Sequence, residues 1–155
     1  MKQFLGHCVL AATSFAASCD SLLKLTLLDA TINLAQTVAA GKFVPPGAGA
    51  GEGKGANPYQ SLPEFCRVKP SSDSDIKVEI WLPADWNGKF QAVGNGGWAG
   101  VISYSSMADA IRVGYASAST DTGHAGRRGT FALNHPEKLV DFSWRSEHEM
   151  TVKAN

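Results

Sequence analysis

The sequence predicts an α/β fold that these 155 residues only begin. Three observations predict it. Ile76, Val78, Ile80 and Leu82 alternate with Lys77, Glu79 and Trp81, the period-two pattern of a half-buried strand. Ser105 to Val113 then reads as a helix stopped by Gly114, and Tyr115 to Ser119 as a buried strand of small and apolar residues. Pro136 suits the first turn of a last helix running to about Lys153, whose apolar face carries Leu139, Val140, Phe142, Trp144, Met150 and Val152. In such an alternation the last helix should cross over to a further strand. The chain therefore reads as the first part of a larger domain.

The elements before that point divide the chain in three. Residues 1–18 read as a secretion signal. Met1-Lys2 is its positive start, and Phe4 to Ala17 its apolar stretch, too short for the roughly 20 residues of a bilayer span. Ala16-Ala17-Ser18 offers the small residues of a cleavage site; a lipobox ending at Cys19 is a weaker alternative, because Ala16 stands where leucine is usual. Cys8 leaves with such a signal, so Cys19 and Cys66 remain as an even pair, expected to form a disulfide in an oxidising compartment. Residues 19–64 read as an N-terminal extension. Leu22, Leu23, Leu25, Leu27 and Leu28 fit helix or strand equally, and Ile32, Ala35 and Val38 a short packed segment. Pro45 to Pro58, dense in glycine, proline and alanine, reads as a surface loop. From Phe65 regular structure begins: a short strand to Lys69, the alternating strand to Leu82, and a return strand from Lys89 to Val93. Asn87-Gly88, a favoured type I′ pair, suggests that the last two form a hairpin.

Composition narrows the function. Lys+Arg and Asp+Glu balance at 14 each, and no basic stripe or acidic tail suggests a nucleic-acid or membrane partner. The informative stretch is Gly94-Asn95-Gly96-Gly97-Trp98-Ala99-Gly100, directly after a strand. Glycines there let another group approach the backbone, so such a loop can present N–H donors to a phosphate or a developing oxyanion. Three readings stand side by side. Gly94-x-Gly96-x-x-Ala99 matches a dinucleotide fingerprint, with Asp121 near the place of a ribose-binding acid. Against it, Gly100, Val101 and Ile102 delay the helix that should face a pyrophosphate. Alternatively the loop fills the slot of an α/β-hydrolase oxyanion loop, where a side chain would block the reacting carbonyl. The third reading is a turn that only serves packing.

The chain from Phe65 onward resembles the tannase/feruloyl esterase family of secreted α/β-hydrolases. The residues that carry the resemblance are Phe65-Cys66-Arg67-Val68, Ile80-Trp81-Leu82-Pro83, Asp85-Trp86-Asn87-Gly88-Lys89-Phe90, the glycine loop, Gly114-Tyr115-Ala116, Ser119-Thr120-Asp121-Thr122-Gly123-His124, His135-Pro136-Glu137-Lys138 and Asp141-Phe142. Ala39-Gly41-Lys42-Phe43 with Pro45-Pro46 looks like the family's N-terminal region. The resemblance implies a partial α/β-hydrolase fold and hydrolysis of aromatic acyl esters by a Ser-His-Asp triad. It also implies a nucleophile in a Cys-Ser-x-Gly-Gly-like elbow and a lid domain that often holds Ca²⁺. Neither Gly-x-Ser-x-Gly nor Cys-Ser occurs in this sequence, so the resemblance carries over only the oxyanion element. Gly97 is the first candidate donor and Gly96 the second, with Trp98 either walling the acyl pocket or anchoring the loop. No cofactor is expected from these residues.

The remaining candidates are weaker. His124 faces the site or holds a loop in shape; His135 is expected to cap the last helix, and His148 to lie on a solvated or core-edge face. The histidines show no zinc spacing. Asp73 and Asp75 read as a solvated turn.

Overall fold

Five strands form one mixed sheet: β1 (Thr31–Val38), β2 (Phe65–Ser71), β3 (Val78–Pro83), β4 (Phe90–Val93) and β5 (Ala116–Thr120). Their spatial order is β1-β2-β3-β5-β4. The computed structural model describes residues 18–27, 29–47, 57–71 and 74–154, so the expected secretion signal up to residue 17, Leu28, most of the expected surface loop between Pro45 and Pro58, and Asp73 lie outside the described residues. Helix α1 (Tyr104–Arg112) links β4 to β5. After β5 the chain makes a short 3₁₀ turn at Gly129–Ala132, then α2 (Pro136–Val140) and α3 (Ser146–Ala154), joined by a single π-helical stretch at Asp141–Arg145.

The expected hairpin does not form. β5 lies between β3 and β4, pairing antiparallel with β3 and parallel with β4. The reason is visible in the connection. Asn87 does not close a two-residue turn onto β3. Its N–H donates to the Gly114 carbonyl at 2.9 Å and its side-chain amide to the Val113 carbonyl at 2.7 Å. Gly88 takes the expected positive φ of 81°. The turn is thus fastened to the end of α1, which carries β4 one strand's width away from β3.

All five residues of β5 are buried. Their hydroxyls are satisfied internally: Ser117 Oγ donates to the Gln91 carbonyl at 3.0 Å, and Ser119 Oγ accepts from the Ser103 N–H at 3.0 Å. β1 comes from the stretch of Ile32, Ala35 and Val38 read as a short packed segment, and is an edge strand paired antiparallel to β2, with a register irregularity between Ile32 and Leu34. Cys19 and Cys66 form the expected disulfide, Cα–Cα 5.6 Å, joining a short 3₁₀ segment at Cys19–Lys24 to β2. As a cystine, Cys19 offers no thiol for lipid attachment.

β3 is not half-buried. Both faces are covered, because α1 packs on one and α3 on the other. Val78, Ile80, Ala118 and Met150 form one apolar cluster; Trp81, Phe43, Phe65, Met107 and Ile111 form the other. Trp81 is its centre, with ring centroids 4.4 Å from Phe65 and 4.5 Å from Phe43. Glu79, on the same face as Trp81, is only 1% exposed. Such a carboxylate is tolerable only when its oxygens are taken. Arg67 donates to both, at 2.6 and 3.0 Å, Trp81 Nε1 donates at 2.8 Å, and the Tyr104 hydroxyl at 3.1 Å. Lys69 Nζ lies 3.4 Å away. Burial, and then the Glu79 carboxylate, push the Tyr104 hydroxyl well above its ordinary pKa, so it remains a donor.

The last helix differs from its expected face. Met150 is buried, whereas Leu139, Trp144 and Val152 are exposed. The π turn shifts the helical phase partway along, so one 3.6-residue stripe does not describe both halves.

Two predictions concern stability. Glu79→Gln leaves the Arg67 charge buried without its partner and is expected to destabilise by about 3–5 kcal/mol in urea unfolding. A loss well under 1 kcal/mol would show that the cluster is incidental. Replacing Cys19 and Cys66 together by serine is expected to cost about 2–4 kcal/mol, given a separation of 47 residues. An unchanged urea midpoint would contradict this.

Candidate functional site

Parallel pairing of β4 with β5 places the carboxyl ends of both strands at the same edge of the sheet. Two loops leave there side by side: Gly94–Gly100 after β4 and Asp121–Gly126 after β5. They are fastened together. The Asn95 side-chain amide donates to the Thr120 carbonyl at 2.9 Å, and its oxygen accepts from Ser103 Oγ at 2.8 Å. The Gly100 N–H donates to the Gly126 carbonyl at 2.8 Å. At Gly100 a Cβ would stand 2.4 Å from the His124 carbonyl oxygen, so this contact requires glycine.

Within the loop the chain turns over Gly96 to Ala99, closed by the Ala99 N–H to the Gly96 carbonyl at 3.3 Å. Gly97 has φ +59°, the left-handed region that glycine adopts without strain. Gly96 and Gly97 are exposed, and a Cβ on either would meet nothing within 4 Å. Among the described residues no group accepts a hydrogen bond from either N–H. The loop is therefore held at its exit, and two of its backbone donors have no partner among the described residues.

Trp98 is 47% exposed and anchors the loop on an aromatic cluster. Its ring centroid is 4.9 Å from Phe142 and 6.0 Å from Phe131. His124 stacks on Phe131 at 3.7 Å and an interplanar angle of 13°. Its Nε2 lies 3.1 Å from the Trp98 carbonyl oxygen and its Nδ1 3.2 Å from Thr122 Oγ1. Both ring nitrogens face groups of the protein itself, which does not suit a general base.

The other sequence candidates separate from this site. Asp121 Oδ1 accepts from the Lys77 and Gly123 N–H groups at 2.9 and 3.0 Å, which fixes the loop and leaves it unsuited to a ribose. The helix after the glycine loop starts at Tyr104, beyond the glycine run. Both facts count against the dinucleotide reading. His135 occupies the N-cap of α2 without a capping hydrogen bond, contrary to expectation, because Nδ1 turns to Glu137 Oε1 at 3.0 Å. Asp75 is exposed and pairs with Lys138 Nζ at 2.6 Å, and His148 is exposed beside Trp144. Among the described residues no three His, Cys, Asp or Glu side chains are grouped to hold a metal ion, and no helix is long and apolar enough to cross a membrane.

Sequence reasoning missed three participants: Asn95, the Phe131–Phe142 platform and Glu147. Asn95 lies inside the motif, where only the strand order shows that β5 is within its reach. Glu147, on α3, has its Oε1 3.1 Å from where a Gly94 Cβ would be. Burial pushes its carboxyl above the ordinary carboxylate range.

A mixed sheet with helices on both faces and a glycine loop at the carboxyl end of a parallel strand is a partial α/β fold of the kind seen in hydrolases. The model of the family described as "Tannase and feruloyl esterase" matches residues 61–155, and the chain belongs to that family. Among its relatives, an esterase of Xanthomonas campestris pv. campestris described as uncharacterized is 39% identical over 145 residues, covering 89% of this chain and 24% of its own. Feruloyl esterase C of Talaromyces stipitatus is 34% identical, covering 90% of this chain and 27% of its own. The crystal structure of feruloyl esterase B from Aspergillus oryzae superposes with a TM-score of 0.73 at 31% identity, over 86% of this chain and 27% of that one. The chain spans about a quarter of the length of the curated relatives it matches.

A carboxyl whose pKa is raised on folding stabilises the fold while protonated, and that contribution is lost as pH rises through the raised value. Glu147→Gln, uncharged throughout, is therefore expected to raise the Tm at about pH 7 and to give no gain at about pH 3. An equal change at both would show that the charge is not responsible.

Proposed function

We propose that this chain supplies the oxyanion-binding part of a secreted carboxylic ester hydrolase acting on aromatic acyl esters, of the feruloyl or galloyl kind. The observation that carries the reading is the Gly97 N–H, with that of Gly96 beside it, on a turn at the carboxyl end of β4, neither having an acceptor among the described residues. The names of the relatives, feruloyl esterases among them, support the substrate class, and the Cys19–Cys66 disulfide supports an oxidising compartment.

In the proposed mechanism a serine attacks the ester carbonyl, with a histidine as base and an aspartate orienting it. The sequence contains neither Gly-x-Ser-x-Gly nor Cys-Ser, so the triad comes from polypeptide outside it. As charge develops on the carbonyl oxygen, the Gly97 N–H donates to it, and the missing side chain lets the substrate approach. Loss of one such donor costs about 10²–10³ in kcat. Trp98, half-exposed beside the turn, borders the aromatic acyl group. The calcium ion that the resemblance implies belongs to a lid, and no step here runs through it.

The test uses ethyl ferulate and methyl gallate. The 155-residue chain alone is expected to give no turnover above a mock-purified control, and a longer polypeptide that includes the serine elbow to hydrolyse at least one ester. In that longer protein Gly97→Pro, which removes the N–H, is expected to lower kcat about 10²–10³-fold. Turnover by the short chain, or unchanged kcat in the proline variant, would refute the reading.

A further inference from the structure

We infer that His124 is the positioning residue of the glycine loop, setting the orientation of the Gly96 and Gly97 N–H donors through its hydrogen bond to the Trp98 carbonyl; as a statement about catalysis this rests on the oxyanion reading above. The turn's hydrogen bonds fall into two halves. The N–H groups of Gly96 and Gly97 have no partner among the described residues. The two peptides that follow are both held. The Trp98–Ala99 peptide gives its N–H to the Gly96 carbonyl, and its carbonyl accepts from His124. The Ala99–Gly100 peptide gives its N–H to the Gly126 carbonyl, and its carbonyl lies 3.4 Å from Thr122 Oγ1. Free donors that must point at one place need a rigid exit, and the groups outside the turn that hydrogen-bond these two peptides come from residues 122–126.

His124 is the side chain suited to this. A carbonyl oxygen only accepts, so Nε2 must carry a proton for the contact at 3.1 Å to be a hydrogen bond. Nδ1 meets Thr122 Oγ1, and stacking on Phe131 fixes the ring plane. The ring is thus held on two sides and donates on the third. The missing side chain at Gly100 is what lets the His124 backbone come close enough. No route to the ester carbonyl is needed for this role; the effect passes through the loop backbone.

Two variants separate positioning from packing. His124→Phe keeps a ring on Phe131 but has no donor; His124→Gln has an N–H₂ that reaches a similar place. In the 155-residue chain, long-range ¹H–¹⁵N spectra are expected to find a proton on His124 Nε2. The ¹⁵N order parameters of Gly96–Trp98 are expected near about 0.85, falling below about 0.6 in His124→Phe and recovering in His124→Gln. In the longer esterase, His124→Phe is expected to lower kcat about tenfold with KM within about twofold, and His124→Gln to restore most of it. A neutral ring protonated on Nδ1 alone, or unchanged order parameters in His124→Phe, would overturn the inference. If Gly97→Pro leaves kcat unchanged while the order parameters respond as stated, the loop-positioning role stands and the oxyanion reading fails.

Discussion

The parallel pairing of β4 with β5 is the constraint on which the rest depends. Parallel neighbours end at the same edge, so the loops that leave them cannot avoid each other. Had the return strand paired with β3, the glycine turn would have hung alone. Instead the β5 loop supplies a carbonyl for Gly100, a ring for the Trp98 carbonyl and an end-of-strand carbonyl for Asn95. β5 can hold this place because its side chains are small. Alanine and serine let α1 and α3 close on both faces, and the serine hydroxyls bond to backbone already present.

The Glu79 cluster serves the same arrangement from beneath. A charge in that position excludes alternative packings, since any shift of β2, β3 or α1 strands a carboxylate or a guanidinium without a partner. Arg67, Trp81 and Tyr104 come from three different elements and converge on one carboxyl group. The register of β2 on β3, with Arg67 opposite Trp81, is the one that allows it. The sheet thus joins a satisfied polar contact to its apolar faces.

Much of this was legible in the sequence. The helix at Tyr104–Arg112, the strand at Ala116–Thr120 and the turn at Gly97 follow from glycine stops and the clustering of small residues, which are local signals. The order of strands was not legible. Asn87-Gly88 carries the chemistry of a hairpin, and only its bonds to Val113 and Gly114, distant in sequence, show that it turns toward α1. Glu79 was hidden for a similar reason: its place in the alternation predicts solvent, and nothing local announces that Arg67 and Tyr104 will meet it. The loop motif singled out Gly96 and Gly97, but the contacts that Asn95 and His124 make around them follow only from β5 lying beside β4.

The Cys19–Cys66 bridge has a consequence for how this part of the chain can vary. It encloses the glycine- and proline-rich stretch from Pro45 to Pro58 within a covalently closed ring. The entropy of closing such a ring grows only with the logarithm of its length, about 0.6 kcal/mol per doubling. Insertions or deletions there are therefore nearly free, while β1 and β2 stay in register. The cystine and the β1–β2 pairing close this loop together, so its length can change at little entropic cost while the sheet's register is held.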